Sequence, residues 1–268
     1  DAILTQYGDA PDEAADAGAD CQIFSAGARV PWWQSKKFPI KRQLAWFEKH
    51  YGKKPVGAYT DYLLKGGDMM ATFVDQCRKR GQAVLGALRL NDVHHLYDAF
   101  NPDINPLRGI YISEFYVTHP QYKLGTGPGV VHMPHNWMIP EVRDHMFEMG
   151  EELLREYDLD GLELDFLRAP LFFPRDKDVK EPIPMKTRVD IMCGFISRIR
   201  KAMDDSARDG RKRWLAVRIA DQALWRDIGC DPVAWRKAGV DIFNVSPSYC
   251  TSQQLDIGEL RALVPDAT

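Results

Sequence analysis

The sequence predicts an α/β protein built around a parallel sheet, and two observations carry this prediction. Short runs of aliphatic and β-branched residues alternate with longer segments in which apolar residues recur every three to four positions. Each helical segment leads directly into the next strand-like run, as parallel strands with helical crossovers require. At 268 residues, 45% of them hydrophobic and 27% charged, the chain predicts one large core and a single domain over 1–268.

The predicted strands are short apolar runs between turn residues. They cover residues 2–7, 21–25, 83–90, 161–166, 214–220 and 241–245. The predicted helices have an apolar stripe at helical spacing and cover residues 69–80, 141–157, 187–205 and 254–263. Gly81 suits the end of the first of these helices, and Pro140 suits the first turn of the second.

One long segment, about residues 91–137, interrupts this alternation and is called the insertion below. It is rich in Pro and Gly, holds five of the seven histidines, and contains one β-like run at 109–115. Connections of this length usually bind ligands or cover a site. The aromatic segment Val30–Gln34, after the strand at 21–25, is a second candidate binding loop.

The strand at 161–166 contains two carboxylates, Glu163 and Asp165. Strand side chains alternate between faces, so both carboxylates point to the same face. Acidic groups on an inner face are costly to desolvate and seldom serve packing alone. This strand is therefore the first candidate for a functional site.

Ligands of parallel α/β folds bind where the strands end, so the residues that follow each strand should share one rim. This rim is polar, acidic and aromatic, which is typical of sugar sites because aromatic rings stack on sugars and carboxylates bond their hydroxyls. It comprises Tyr7, Asp9, Arg29, Trp32, Trp33, Asn91, Asp92, His94, His95, Asp165, Arg168, Asp221, Gln222, Ser246, Ser248 and Tyr249.

Three sequence blocks resemble the glycosyl-hydrolase-like family ten. Residues 140–144 (PEVRD) with 157–168 (YDLDGLELDFLR) are similar to its most specific signature, and residues 78–87 and 235–245 are similar to its entries into the third and sixth strands. The resemblance covers roughly residues 69–249. It departs from the family pattern at residues 136–140 and 246–249.

This resemblance implies a bacterial (β/α)8 TIM-type barrel with activity on glycan strands. The run at 161–166 would be its fourth strand and that at 241–245 its sixth. A closed barrel needs eight strands, and strands seven and eight are not evident. We therefore expect a barrel that is incomplete at the C-terminus, either because the chain is a fragment or because another segment supplies these strands.

Asp165, at the strand mouth, is the leading catalytic candidate. Glu163 lies deeper, where it could join the catalytic pair or form an ion pair with a residue such as Arg218. Asp221, at the end of the strand at 214–220, could be the second carboxylate, as glycosidases commonly use two. The alternative for Asp221 is an N-cap.

The substrate-binding candidates come from the loops. Asn91, Asp92 and His94 are expected to bond sugar hydroxyls, although Asp92, His94 and His95 could instead bind a metal. Arg168 could hold Asp165 ionised, or form a loop salt bridge. The remaining candidates, for which packing is the alternative, are the aromatic and imidazole side chains Trp32, Trp33, His135, Trp137 and Tyr249.

Composition excludes several function classes. The net charge of -3 and the scattered basic residues argue against nucleic acid and membrane surfaces as partners. No apolar run reaches the roughly 18 residues of a membrane span. No glycine-rich phosphate loop is present, so no organic cofactor is expected, and no HxH or HExxH spacing accompanies His94 and His95, so no metal is expected. The five separated cysteines predict free thiols, buried at Cys21, Cys77 and Cys193.

The sequence therefore favours a glycosidase that acts on a poly- or oligosaccharide. A carbohydrate-binding barrel without catalysis and a metal-dependent hydrolase are the alternatives. The chain starts at Asp1. If an N-terminal signal has been removed, a periplasmic or secreted protein is expected.

Overall fold

A computed structural model describes residues 10–125, 129–208, 210–246 and 257–268. Its centre is a sheet of parallel strands that pair in sequence order. The strands are β1 (Cys21–Gly27), β2 (Ala83–Arg89), β3 (Gly161–Asp165), β4 (Trp214–Ile219) and β5 (Ile242–Val245). The predicted α/β class and parallel sheet are confirmed, whereas the strand predicted at 2–7 lies outside the described residues.

Helical segments connect the strands. The α-helices are α1 (Ile40–Tyr51), α2 (Ala58–Leu64), α3 (Met69–Lys79), α4 (Glu114–Thr118), α5 (Pro140–Glu156), α6 (Met185–Asp205), α7 (Trp225–Ile228), α8 (Pro232–Lys237) and α9 (Ile257–Leu263). Residues 10–16 are also helical. Short 3-10 turns lie at Leu96–Asp98, Pro106–Ile110, Pro120–Tyr122, Val130–His132, Asp176–Asp178 and Gln222–Leu224.

The helices α3 and α5 form where the sequence predicts them, and their ends show why. The Asp68 side chain accepts a hydrogen bond from the backbone N–H of Ala71, which caps α3, and Gly81 follows the helix with φ 69°. Pro140 occupies the first turn of α5, where its missing N–H costs no hydrogen bond. Both helices bury their predicted apolar stripes.

The two faces of β3 have different environments. Leu162 packs beside Gly150 of α5 and Ile199 of α6, and a Cβ at Gly150 would lie 3.0 Å from Ile199 Cδ1. Glycine therefore lets these two helices approach the sheet closely. Because side chains alternate, Glu163 and Asp165 project from the opposite face, away from these helices.

The β-like run at 109–115 does not form a strand. Asn105 and Ser113 each accept a hydrogen bond from a backbone N–H two or three residues ahead and start a 3-10 turn and α4 respectively. Local capping therefore outweighs β-propensity here. Cys21 is exposed, Cys193 is partly buried and Cys77 is buried, so full burial was predicted correctly for one of these three thiols.

The part of the chain described holds five parallel strands, so closure into a (β/α)8 barrel stays a prediction. Within the same residues, no helix combines the length and apolarity that crossing a bilayer requires.

Candidate functional site

A row of charged and polar side chains lies at the carboxyl ends of the central strands. Parallel register places Arg89 of β2 beside Asp165 of β3, Asp165 beside Arg218 of β4, and Arg218 beside Asn244 of β5. Paired residues of neighbouring strands project to the same face of a sheet. The fold therefore sets one carboxylate between two arginines.

Asp165 is the centre of this row and is only 3% exposed. Its Oδ1 accepts a hydrogen bond of 2.9 Å from the backbone N–H of Leu167, and Arg218 Nη1 lies 3.8 Å from its Oδ2. Burial raises the pKa of the Asp165 carboxyl, and the Leu167 bond and the charges of Arg218, Arg89 and Arg168 oppose this effect only in part. The pKa remains above its usual range.

Glu163 lies one layer deeper, between Ala87 and Ala216 in the neighbouring strands. It is 4% exposed, and its Oε2 accepts a hydrogen bond of 3.0 Å from Asn244 Nδ2. Burial raises the pKa of Glu163, the Asn244 bond lowers it, and the charge of Asp165 raises it further. Glu163 and Asp165, together called the carboxylate pair, thus both hold protons more tightly than exposed acids do.

The arginine that the sequence assigns to Glu163 lies closer to Asp165. Arg218 shares a register position with Asp165, and within the described residues its ion pair is with that side chain. Its Nη2 also donates a hydrogen bond of 3.3 Å to Ser246 Oγ. The possible Glu163–Arg218 ion pair is therefore replaced by a Glu163–Asn244 hydrogen bond.

Asp92, in the loop after β2, is buried and ionised. It contacts the ring Nδ1 of His94, accepts from the His94 backbone N–H at 2.9 Å, and lies 3.2 Å from Arg89 Nη1. Burial raises the pKa of Asp92, but the bonds from His94 and the charge of Arg29 outweigh burial and lower it. His94 itself is exposed, so this loop presents an imidazole ring to solvent.

Asn91 is placed inside the protein rather than at a surface. Its Nδ2 donates to the carbonyl oxygens of His135, at 3.1 Å, and Leu171, at 2.8 Å, and its Oδ1 accepts from the His135 backbone N–H at 2.8 Å. The amide is fully occupied in holding three loops together. His135 is also buried, and burial lowers the pKa of its ring well below the usual range.

The three candidate tryptophans have different surroundings. Trp33 is fully buried and donates its indole N–H to Glu152 of α5, and Trp137 is packed between Phe172 and Phe195. Trp32 is half-buried and lies edge-on to Tyr111, with ring centroids 6.0 Å apart. Of the three, Trp32 alone lines a cavity that the structure describes.

This cavity, called the Arg29 cavity below, has a volume of about 220 Å³ and lies where β1 and β2 end. Its lining includes Arg29, Trp32, Arg89, Asp92, His94, His95 and Tyr111. His95 has a left-handed backbone with φ 66°, and Ala169, just after β3, has φ 51°. Such backbone strain in non-glycine residues tends to cluster at functional sites.

The remaining candidates lie around this region or outside it. Asp221 is exposed, and its Oδ1 accepts from the Ala223 backbone N–H at 3.0 Å, so it caps the turn after β4. Arg168 is half-buried, its charge lowers the pKa of Asp165, and its Nε has no hydrogen-bond partner among the described residues. Tyr249 lies outside the described residues.

Sequence reasoning missed Arg89 and Tyr111. Arg89 could have been found, since it ends β2 as Asp165 ends β3, and aligning the two strand ends puts the side chains side by side. Tyr111 falls in the β-like run at 109–115, and nothing local to the sequence directs it towards Trp32.

The structure does not bring the histidines of the insertion together around one point. No three His, Cys, Asp or Glu side chains converge as metal ligands in the residues described. The rings of His94 and His95 are 6.3 Å apart, and His95 instead lies 4.7 Å from the Tyr111 ring. The contact that does form is the pair of Asp92 and His94.

No protein-family model matches the chain, and no curated protein does either. Among solved structures it is similar to an α-amylase from Geobacillus thermoleovorans in complex with acarbose, at 15% identity and a TM-score of 0.46, over 90% of this chain and 44% of the amylase. It is also similar to α-L-fucosidase isoenzyme 2 from Paenibacillus thiaminolyticus, at 14% identity and a TM-score of 0.44, over 79% and 29% of the two chains. The chain thus spans less than half the length of these structures.

Proposed function

We propose that this protein hydrolyses a glycosidic bond of a poly- or oligosaccharide, with Asp165 as the principal carboxylate. The observation that carries the proposal is the carboxylate pair, which is buried at the ligand-binding end of a parallel sheet with raised pKa values. Glycosidases commonly use two carboxyl groups, one of which holds a proton that the other has given up.

The surroundings of the two carboxyl groups favour different protonation states. Asp165 receives a backbone N–H bond and the charges of three arginines, which favour its ionised form. Glu163 lies deeper, where burial and the charge of Asp165 outweigh the pKa-lowering hydrogen bond from Asn244, so the protonated form is favoured there. In the proposed mechanism Asp165 acts as the base or nucleophile, and Glu163 is the proton-holding partner.

The spacing of the pair indicates a stereochemical outcome. Residues two apart on a strand are separated by about 6.5 to 7 Å along it. Carboxyl groups of inverting glycosidases are roughly 6.5 to 9.5 Å apart, whereas those of retaining enzymes are about 5 to 5.5 Å apart. This backbone spacing falls in the range for inversion, in which Asp165 would act as a base that activates a water molecule.

The surrounding loops supply groups that suit a sugar. The half-buried Trp32 and Tyr111 offer ring surface in the Arg29 cavity, and the exposed imidazole of His94 offers a hydrogen-bonding edge. The resemblance of residues 140–144 and 157–168 to glycosyl-hydrolase-like family ten supports the same reaction class. Membership of that family is part of the proposal.

Substitution of Asp165 provides the test. In release of reducing ends from a panel of soluble polysaccharides, Asp165→Asn should lower turnover roughly a thousandfold, as loss of a catalytic acid or base does. The matched control is Asp190→Asn, since Asp190 is exposed on α6 and pairs with Lys186. Product release by Asp165→Asn at the rate of the control would refute the assignment.

A carbohydrate-binding function without turnover is the second candidate. It is favoured by the burial of both carboxyl groups, which are 3% and 4% exposed. In that case calorimetry would show that the wild-type chain binds an oligosaccharide, while mass spectrometry of the same mixture would show an intact ligand after prolonged incubation.

A further inference from the structure

Arg29, in the loop after β1, has hydrogen-bond donors that no other group uses. The residue is 4% exposed, and its Nε and Nη2 are buried without a hydrogen-bond partner in the part of the chain described. These two nitrogens form one edge of the guanidinium, which can bind both oxygens of a carboxylate at once. A buried donor pair of this kind is costly unless a ligand completes it.

Among the residues that the structure describes, no acidic side chain forms an ion pair with Arg29. The guanidinium lies 5.2 Å from the centre of the Tyr116 ring, and the nearby His135 and His145 rings are kept neutral by burial and by the charge of Arg29. Burial lowers the pKa of Arg29 to about 10, so the side chain stays charged at neutral pH.

Asp92 is the acid whose charge acts on Arg29, but it is engaged elsewhere. Its carboxylate contacts Arg89 and His94, and no ion pair within 4.0 Å joins it to Arg29 among the described residues. The Arg29 cavity therefore contains two arginines against one ionised carboxylate. Its net positive charge favours an anionic ligand.

The position and lining of the cavity narrow the class of ligand. Arg89 lines it and is the register neighbour of Asp165, so the cavity adjoins the carboxylate pair. Trp32 and Tyr111 provide aromatic surface in the same lining. A volume of about 220 Å³ is below the roughly 300 Å³ at which drug-sized sites begin, so a single small ring fits better than an extended ligand.

We propose that Arg29 binds the carboxylate of an acidic sugar, such as a uronic acid, in a subsite beside Asp165. The sugar identity of the ligand rests on the proposed function, but recognition of its carboxylate by Arg29 does not depend on turnover. The Nε and Nη2 edge binds the two carboxylate oxygens, and Trp32 and Tyr111 flank the ring.

Calorimetric titration of the wild-type chain with D-glucuronate, D-glucose and acetate tests the proposal, because monosaccharides require no hydrolysis. Glucuronate should bind roughly tenfold or more tightly than glucose, since a charge-assisted bidentate pair is the difference between them. It should also bind more tightly than acetate. Arg29→Met and Arg29→Lys should both lose this preference, and the exposed control Arg198→Met should keep it.

Thermal unfolding without ligand separates a binding role from a structural one. Replacing an uncompensated buried charge by methionine should maintain or raise the melting temperature. A large drop with unchanged glucuronate affinity would make Arg29 structural and overturn the proposal. If Arg29→Met fails to fold, the test rests on Arg29→Lys, which keeps the positive charge and lacks the bidentate edge. Wild-type glucuronate affinity in Arg29→Lys would also overturn the proposal.

The titrations with glucose and acetate test the two parts of the proposal, carboxylate recognition and sugar recognition. Equal affinity for glucose and glucuronate would overturn carboxylate recognition, and equal affinity for acetate and glucuronate would overturn the assignment to a sugar. Arg29-dependent binding of glucuronate by a chain that cleaves no glycan would support this subsite while refuting the proposed glycosidase function.

Discussion

Arg218 Nη1 lies 3.8 Å from Oδ2 of Asp165, on the neighbouring strand and at the same register position. This distance exceeds that of a direct hydrogen bond, so Arg218 acts on the carboxylate mainly through its charge. A hydrogen bond to Ser246 holds the guanidinium, and the Leu167 backbone N–H holds the carboxylate. The pKa of Asp165 is thus set by its burial, which raises it, and by fixed charges that lower it and can be changed one at a time.

The first prediction concerns the pH dependence of the proposed activity. Because Arg218 lowers the pKa of Asp165 against the effect of burial, Arg218→Met should raise that pKa further. If ionised Asp165 is the active form, the acidic limb of the kcat/KM profile should move to higher pH. The profile of the exposed control Arg198→Met should match the wild type. A limb that stays in place or moves to lower pH in Arg218→Met would contradict this role.

The second prediction concerns the stability cost of Glu163. Its pKa is raised in the folded protein, so its favourable contribution to stability is present below the pKa of an unfolded glutamate and is lost as pH rises through the folded value. Glu163→Gln cannot ionise, so its stability does not fall as pH rises through the pKa of the buried carboxyl. The glutamine also retains an oxygen that can accept the hydrogen bond from Asn244. The variant should therefore have the higher free energy of unfolding at neutral pH, with little gain near about pH 4.

Urea unfolding at both pH values checks this prediction, with Glu148→Gln on the exposed side of α5 as the control. The control should behave as the wild type at both values. A Glu163→Gln variant that is less stable at neutral pH would show that the buried carboxylate is stabilised by its surroundings, which would also weaken its assignment as a proton-holding group.

Local sequence patterns predicted the five described strands and the helices α3, α5 and α6, since period-two and period-3.6 patterns, caps and glycines act within a few residues. The helix α1 was not predicted. The burial and the contacts of individual side chains were not predictable from such local patterns. Trp32 and Trp33 are neighbours, yet Trp33 is drawn into the core by a hydrogen bond to Glu152, 119 residues away. Trp32 stays half-buried at the Arg29 cavity. Only the packing of α5 against this loop separates the two residues.

The same distinction explains which parts of the site the sequence predicted. Glu163 and Asp165 were predicted to share a face because strand alternation is local, and their burial follows from their position in the sheet. The unused edge of Arg29 depends instead on Tyr116, His135 and His145, which come from separate segments. Such a constellation exists only after the insertion has folded against α5.

The third prediction concerns Glu152, which fastens the loop after β1 to α5. Its carboxylate accepts hydrogen bonds from the Trp33 indole, the Ser35 hydroxyl and the backbone N–H groups of Lys36 and Lys37. Glu152→Ala would leave several of these donors buried and unpaired. We expect the free energy of unfolding to fall by about 3 kcal/mol or more, given about 1 to 3 kcal/mol per unpaired buried group.

Guanidinium unfolding measures this loss, and Glu148→Ala, four residues earlier on the same helix and exposed, is the control. Its free energy of unfolding should change by less than about 0.5 kcal/mol. Equal losses for the two variants would show that the loop does not depend on the Glu152 carboxylate.

The fourth prediction assigns Asn91 a structural role beside the candidate site. Its side chain bonds the backbone of His135 twice and that of Leu171 once, all within the interior. Asn91→Ala would remove these bonds and leave buried backbone groups unpaired, which should lower the free energy of unfolding by about 2 to 4 kcal/mol.

Asn101→Ala is the matched control, because Asn101 is exposed in the same insertion and makes one local hydrogen bond. Urea unfolding should show a large loss of stability for Asn91→Ala and a small one for Asn101→Ala. If Asn91 contacts the substrate directly, Asn91→Ala should instead lower oligosaccharide affinity and leave stability unchanged. That result would contradict the structural role and support a binding role for Asn91.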